Sequence, residues 1–185
     1  MSLDFRMHAE RTPNPNSVKW VLGQPVAKGA GAVSFGEAPA ASVSPLAARL
    51  FEIEGVASVL LGPDFVTVSK QAEFEWTDLA PPIVAGIKAW ASAGEDALGS
   101  EWEPPLRADE SDIVARIRRI IDEDVQPYVA MDGGEITFAD YRDGVVEVYL
   151  RGACAGCPSS TITLKMGIEA RLKEEIPEVL SVVAL

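Results

Sequence analysis

The chain holds two cysteines, Cys154 and Cys157, in the segment Arg151-Gly152-Ala153-Cys154-Ala155-Gly156-Cys157-Pro158-Ser159-Ser160-Thr161. A thiol binds metal or attacks an electrophile only as the thiolate, so the surroundings that matter are those that stabilise charge on sulfur. Gly152 and Gly156 allow unusual backbone dihedrals and close approach to a bulky ligand. A helix is expected to begin near Ser159, and its first turn offers unpaired N–H groups and a partial positive charge. In a reducing compartment an isolated Cys-x-x-Cys serves as a metal or redox site more often than as a staple.

Ligand counting narrows the chemistry. A structural zinc site or a [4Fe–4S] cluster usually takes four protein ligands. The chain has 2 cysteines and 1 histidine, and the histidine, His8, lies in the other half. Two copies related by a two-fold axis through the metal supply four thiolates, so a homodimer in the loaded state is expected. Three rivals stay open on the residues alone. A dithiol–disulfide oxidoreductase also places Cys-x-x-Cys between a strand and a helix, but here Pro158 follows the second cysteine and no βαβ unit precedes it. An inter-subunit zinc site would use the same thiolates, and softness does not separate zinc from iron–sulfur. The pair could also be two ordinary cysteines in a glycine-rich loop.

The elements that must position this loop are legible around it. Ile113, Ile117, Ile120, Ile121 and Val125 have helical spacing, with Asp109, Glu110 and Asp112 in a first turn where acids suit the helix dipole. Asp132-Gly133-Gly134 stops that helix. Ile136–Phe138 and Val146–Leu150 flank Arg142-Asp143-Gly144, a hairpin signal. Beyond the cysteines, Leu164, Ile168, Leu172 and Ile176 recur every fourth residue until Pro177, and residues 181–185 can add a last strand. The order helix, strand, strand, cysteine loop, helix, strand predicts a small α+β domain with helices on one face of the sheet.

The N-terminal half reads as a second α+β domain. Ser17–Val21 alternates as a strand. Ser44 can cap a helix with Pro45 in its first turn, ended by Gly55. Residues 56–61 and 65–68 pair around Gly62-Pro63-Asp64, and a second helix is expected near Pro81-Pro82 with Ile83, Ile87 and Trp90 on one face. Between the halves, residues 91–105 lack a period and are rich in small residues, acids and prolines. The expected division is 1–92 for the first domain, 93–108 for the linker and 109–185 for the second, with Trp102 the one linker residue able to dock on a domain.

With 16 basic against 28 acidic residues the net charge is −12, which repels phosphate backbones and anionic headgroups. Neither nucleic acid nor membrane is an expected partner. Residues 1–6 show neither a secretory n-region and h-region nor an Arg-rich, acid-poor transit pattern. The expected location is the cytoplasm, and a mature organellar matrix protein would read the same way.

Asp132-Gly133-Gly134, then Gly152-x-Cys154-x-x-Cys157-Pro158-Ser159-Ser160 and the amphipathic helix after it, resemble the C-terminal, Nfu-type domain of NifU over roughly the last 75 residues. Thr12-Pro13-Asn14-Pro15-Asn16, Ser44-Pro45-Leu46-Ala47, Gly55-Val56 and Phe65-Val66-Thr67-Val68 resemble the N-terminal domain of Nfu proteins. The resemblance implies an iron–sulfur scaffold or carrier that acts late in cluster assembly. It would receive a [4Fe–4S] cluster from upstream assembly proteins, bridge it across a dimer through Cys154 and Cys157, and deliver it to apo-proteins. The first domain would recognise a client or partner. Glu135 departs from the Asp often found after the glycine pair, and is read as a turn residue without a ligand role.

Other candidates have plain structural readings. His8 suits a surface or strand edge, and Thr12–Asn16 a rigid turn. Trp20, Trp76 and Trp90 suit the core, and Ser159, Ser160 and Thr161 suit capping. Arg151 could offset the charge of a thiolate-bound cluster or simply be solvated. No Ser/His/Asp set, phosphate loop or carboxylate pair stands out, so no catalytic turnover is expected.

Overall fold

A computed structural model of the chain describes residues 5–104, 111–155 and 158–185. It divides into two compact units, Met1–Pro104 and Pro105–Leu185, each an α+β sandwich of one sheet and its helices.

In the first unit the strands are β1 (Met7–Arg11), β2 (Ser17–Leu22), β3 (Val33–Phe35), β4 (Val56–Leu61) and β5 (Phe65–Lys70), and the helices α1 (Pro45–Phe51) and α2 (Trp76–Ala93). The sheet is antiparallel in the order β1-β2-β5-β4-β3. Side chains alternate across a strand, so Trp20 and Leu22, Val66 and Val68, and Val59 and Leu61 share one face. They pack there with Leu46 and Leu50 of α1 and Ile83, Ile87 and Trp90 of α2. Ser44 caps α1 as expected, its Oγ accepting from the Ala47 N–H at 3.2 Å and donating to the Ala97 carbonyl at 2.7 Å.

Two expectations shift. Helix α2 starts five residues before Pro81, because Glu75 adopts the extended cap conformation and Asp78 sits in the first turn; both prolines lie inside the helix. The stretch read as linker from residue 93 begins as a strap on this unit. Ala97 is buried in the core, the Gly99 N–H donates to the Val43 carbonyl at 2.8 Å, and the Glu101 N–H donates to the Ser42 carbonyl at 3.0 Å. Its small-residue composition carries no period because it is held by backbone bonds. The rest of the expected linker, from residue 105, lies outside the described residues.

The second unit runs α3 (Asp112–Ile120), a π-helical turn (Ile121–Val125), α4 (Gln126–Met131), β6 (Gly134–Arg142), β7 (Val145–Gly152), α5 (Pro158–Glu175) and β8 (Ser181–Ala184). Ser111 caps α3 through its Oγ to the Val114 N–H. The single helix expected to run to Asp132 is therefore interrupted. Pro127 has no N–H to give the fourth carbonyl back, and the chain widens just before it, where the Gln126 N–H reaches the Ile121 carbonyl five residues back. Strands β6 and β7 are antiparallel and joined through Asp143 and Gly144, both at positive φ, as a two-residue hairpin requires. Strand β8 joins β7 in parallel, with α5 as the crossover. Ile136, Val146, Val148, Leu150 and Val182 meet Ile117, Ile121, Val129, Ile168, Leu172 and Ile176 in one core.

Candidate functional site

The cysteine loop is built at the end of the sheet where β6 begins and β7 finishes, with Gly134 opposite Gly152 in the ladder. Helix α4 ends at Met131, with Asp132 as its C-cap. Gly133 follows at φ +74°, and its carbonyl accepts the Ala153 N–H at 3.2 Å, tying the α4–β6 turn to the loop. Gly152 leaves the strand at φ +63°, and its carbonyl accepts the Ala155 N–H at 3.2 Å. A side chain at Gly152 would be strained in that conformation, so the turn that presents Cys154 requires the glycine.

Cys154 is buried, 6% exposed, and belongs to the core of this unit. Its Sγ lies against the Cα of Gly134. A methyl group built there would sit 2.3 Å from the sulfur and 3.1 Å from Cγ1 of Val129. That explains the second glycine of Asp132-Gly133-Gly134, which the sequence suggested as part of a helix stop and tight turn. The first glycine makes the turn and the second makes room for a thiol. The Cys154 sulfur is thereby seated in the core of this unit.

Cys157, the second expected ligand, lies outside the described residues. Helix α5 starts at the next residue, one position earlier than expected. Among the described residues no group of three or more His, Cys, Asp or Glu side chains is placed to hold a metal. His8 sits on the edge strand β1 of the first unit, exposed, with Nε2 3.0 Å from Oε1 of Glu10. Arg151 is solvent-exposed on β7, its guanidinium 5.5 Å from the centre of the Tyr149 ring.

Glu135 is the residue the sequence reading missed. It is the second residue of β6 and not part of the turn, it is 5% exposed, and it is paired across the ladder with Arg151. Its Oε2 has no hydrogen-bond partner among the described residues. Burial pushes the carboxyl up to about 7, against the pull of the Arg151 guanidinium.

Behind the loop, α5 is anchored to the π-helical turn. Arg171 donates through Nε and Nη2 to Asp124 at 3.0 and 2.6 Å and through Nη2 to Glu175 at 2.6 Å. Those carboxylates hold its guanidinium further toward the charged form. Glu169 accepts from Lys173 and from the Val182 N–H, and both contacts hold its carboxyl below the usual range. In the first unit the Thr12–Asn16 segment is internally bonded: Thr12 Oγ1 donates to the Asn14 and Ser17 carbonyls, and Trp76 Nε1 donates to the Pro15 carbonyl at 2.9 Å.

Two α+β units, the second presenting a thiol loop between a strand end and a helix start, define the class. Residues 7–94 match the family model described as scaffold protein Nfu/NifU N terminal, and residues 117–183 match the NifU-like domain. The NFU1 iron-sulfur cluster scaffold homolog, mitochondrial, of Homo sapiens is 42% identical over 176 residues, which cover 94% of this chain and 69% of that protein. The protein of the same name from Drosophila persimilis is 37% identical over 179 residues, 95% of this chain and 64% of its own length. In that protein this chain therefore spans less than two thirds. A solved NifU-like protein from Saccharomyces cerevisiae aligns with a TM-score of 0.49 at 24% identity, covering 55% of this chain and 92% of that one. The chain belongs to the Nfu family of iron–sulfur cluster scaffold proteins. The expectation of a cytoplasmic location gains nothing from these relatives, whose names read mitochondrial.

Proposed function

We propose that this protein is a non-catalytic carrier that receives a [4Fe–4S] cluster on Cys154 and Cys157 of two copies and hands it to apo-proteins. The observation that carries the reading is the thiol inventory: 2 cysteines in the chain, one of them with its sulfur in the space that the missing Cβ of Gly134 leaves. One copy supplies two thiolates, and a four-iron cluster takes four. The names of the relatives support cluster scaffolding as the cargo chemistry. The cluster here is cargo. A site assembled from two halves can be taken apart by separating them, which suits delivery.

The work is assigned to a reducing compartment, where the thiols stay available. The upstream donor contributes the cluster, and the first unit (1–92), joined to the cluster-binding domain (109–185) through residues 93–108, provides recognition of clients or partners. The test is anaerobic reconstitution of the full chain with ferrous iron and sulfide, followed by iron and sulfide counting and determination of mass in solution. The expected result is one four-iron cluster per two chains, lost in Cys154→Ala and in Cys157→Ala. A reversible intramolecular disulfide with disulfide-reductase activity and no bound iron would replace this reading with the dithiol one. A four-iron cluster held by a monomer without added thiol would remove the sharing argument.

A further inference from the structure

Helix α5 carries two apolar stripes, and its own domain uses only one. Leu164, Ile168 and Leu172 face the core. Ile162 and Met166 stand two residues out of step with them, about 200° around the helix, and are 64% and 69% exposed. Gly167 and Ala170, beside them, are exposed as well. A Cβ at Gly167 would meet nothing within 4 Å. Surface helices of small domains normally turn polar residues outward. From Pro158 to Ala170 the charged residues are Lys165 and Glu169, and Glu169 is engaged by Lys173.

The position of this face selects its occupant. Residue 158, where α5 starts, is bonded to Cys157. Ile162 and Met166 lie about 6 and 12 Å along the helix axis from that start. If a cluster is shared through Cys157 and its symmetry mate, the two-fold axis passes near the residue bonded to the start of α5, which brings the starts of the two α5 helices close together. Charge points the same way. Two copies at −12 each repel, and contact is cheapest over a surface whose one carboxylate, Glu169, is already paired with Lys173. Met131, at the end of α4 tied to the cysteine loop through Gly133, is a further exposed apolar side chain at this end of the sheet.

Resting on the shared-cluster reading above, we propose that the Ile162–Met166–Ala170 face of α5 is the protein half of the contact between two copies, closing over itself when the cluster is bound. Ile162 and Met166 are its two large exposed apolar side chains, a small patch beside the roughly 1,200 Å² of total buried surface that a stable interface needs. It therefore contributes to dimer stability only together with the cluster, so dimerisation and cluster retention are linked. Weakening the face loosens the cluster, and removing the cluster frees the monomers.

The test compares wild type, Ile162→Ser/Met166→Ser and, as a control at the hairpin end of the sheet, Leu180→Ser. Apo proteins are compared first by circular dichroism and urea unfolding; the altered side chains are exposed, so the transitions should coincide. After anaerobic reconstitution, sedimentation and the rate of iron loss to a chelator are measured. The double variant should show a dimer dissociation constant raised about tenfold or more and faster cluster loss, with Leu180→Ser unchanged. Met166→Glu, which sets like charges across the axis, should prevent the loaded dimer and keeps the question answerable if the double variant does not fold. A loaded double variant with the wild-type dissociation constant overturns the inference. So does one that dimerises normally but transfers its cluster poorly to an apo-ferredoxin, which would assign the face to clients. If wild-type protein forms no cluster-bridged dimer, the shared-cluster reading fails first and this one with it.

Discussion

Replacing Glu135 by glutamine should stabilise the second unit by clearly more at pH 8 than at pH 5. The carboxyl is 5% exposed, with one oxygen unpartnered among the described residues, and Arg151 across the ladder leans over Tyr149. Burial therefore outweighs the attraction of Arg151, and the folded-state value rises from 4.5 to about 7. The sign follows from proton counting. Below pH 4.5 the acid is neutral in both states and folding meets no penalty. Between 4.5 and 7 the unfolded chain gives up its proton and the folded one keeps it, so stability falls as pH rises, and the loss is complete above about 7. A shift of this size corresponds to about 3 kcal/mol at 1.36 kcal/mol per unit, an upper bound, and the amide's own need for partners lowers the expected gain at pH 8 to about 1–3 kcal/mol. The chain offers separate probes for its two units: its 4 tryptophans (20, 76, 90 and 102) lie in Met1–Pro104 and its 3 tyrosines (128, 141 and 149) in Pro105–Leu185. Urea unfolding followed by tyrosine absorbance should show the wild-type and Glu135→Gln midpoints separating as pH rises from 5 to 8, while tryptophan fluorescence shows no difference. An equal gain at both pH values, or none at pH 8, would refute the assignment of the raised value to burial.

Two further substitutions probe the packing described above. Gly134→Ala places a methyl 2.3 Å from Cys154 Sγ; the expected cost is about 1–3 kcal/mol for overpacking, read by the tyrosine transition, together with less iron retained after reconstitution. Normal iron content in this variant would mean that the cysteine does not use the Gly134 cavity when loaded. Ser44→Ala removes both the α1 cap and the bond to the Ala97 carbonyl from a buried site, and should lower stability by about 1–3 kcal/mol in the tryptophan transition alone.

What the sequence disclosed depended on whether the signal was local. Ser44-Pro45 reads as a helix start because capping is a property of adjacent residues, and Asp143-Gly144 reads as a hairpin for the same reason. The fourfold spacing from Leu164 to Ile176 revealed α5 because one face of it is core. The sequence also offered Cys154 and Cys157 as a ligand pair, since ligand spacing is local too; of the two, the described residues include Cys154. It failed where the cause was distant. Glu135 looked like a turn residue next to two glycines, and only the ladder to Arg151 shows it to be a buried strand residue. The widened turn at Ile121–Val125 arises from Pro127 acting on carbonyls a turn earlier, and a simple helical period passes over it. Residues 94–102 looked like linker because a strap held by backbone bonds to Ser42 and Val43 leaves no side-chain pattern.

The same distinction explains Asp132-Gly133-Gly134. Taken locally, two glycines after an aspartate end a helix, and one glycine would have sufficed for that. The second is explained by Cys154, 20 positions later in the chain (154 − 134), whose sulfur fills the space a Cβ would take. A helix stop and a thiol cradle are thus built from adjacent residues, and the bond from the Ala153 N–H to the Gly133 carbonyl joins them. Any movement of α4 relative to β6 must therefore move the backbone beside Cys154. Exchanging the glycines for other turn formers such as Asn-Gly would preserve the helix stop at Gly133 and leave the cradle at Gly134. Gly-Asn would preserve the stop and fill the cradle. The two exchanges should separate folding from iron retention, with loss of iron confined to Gly134→Asn.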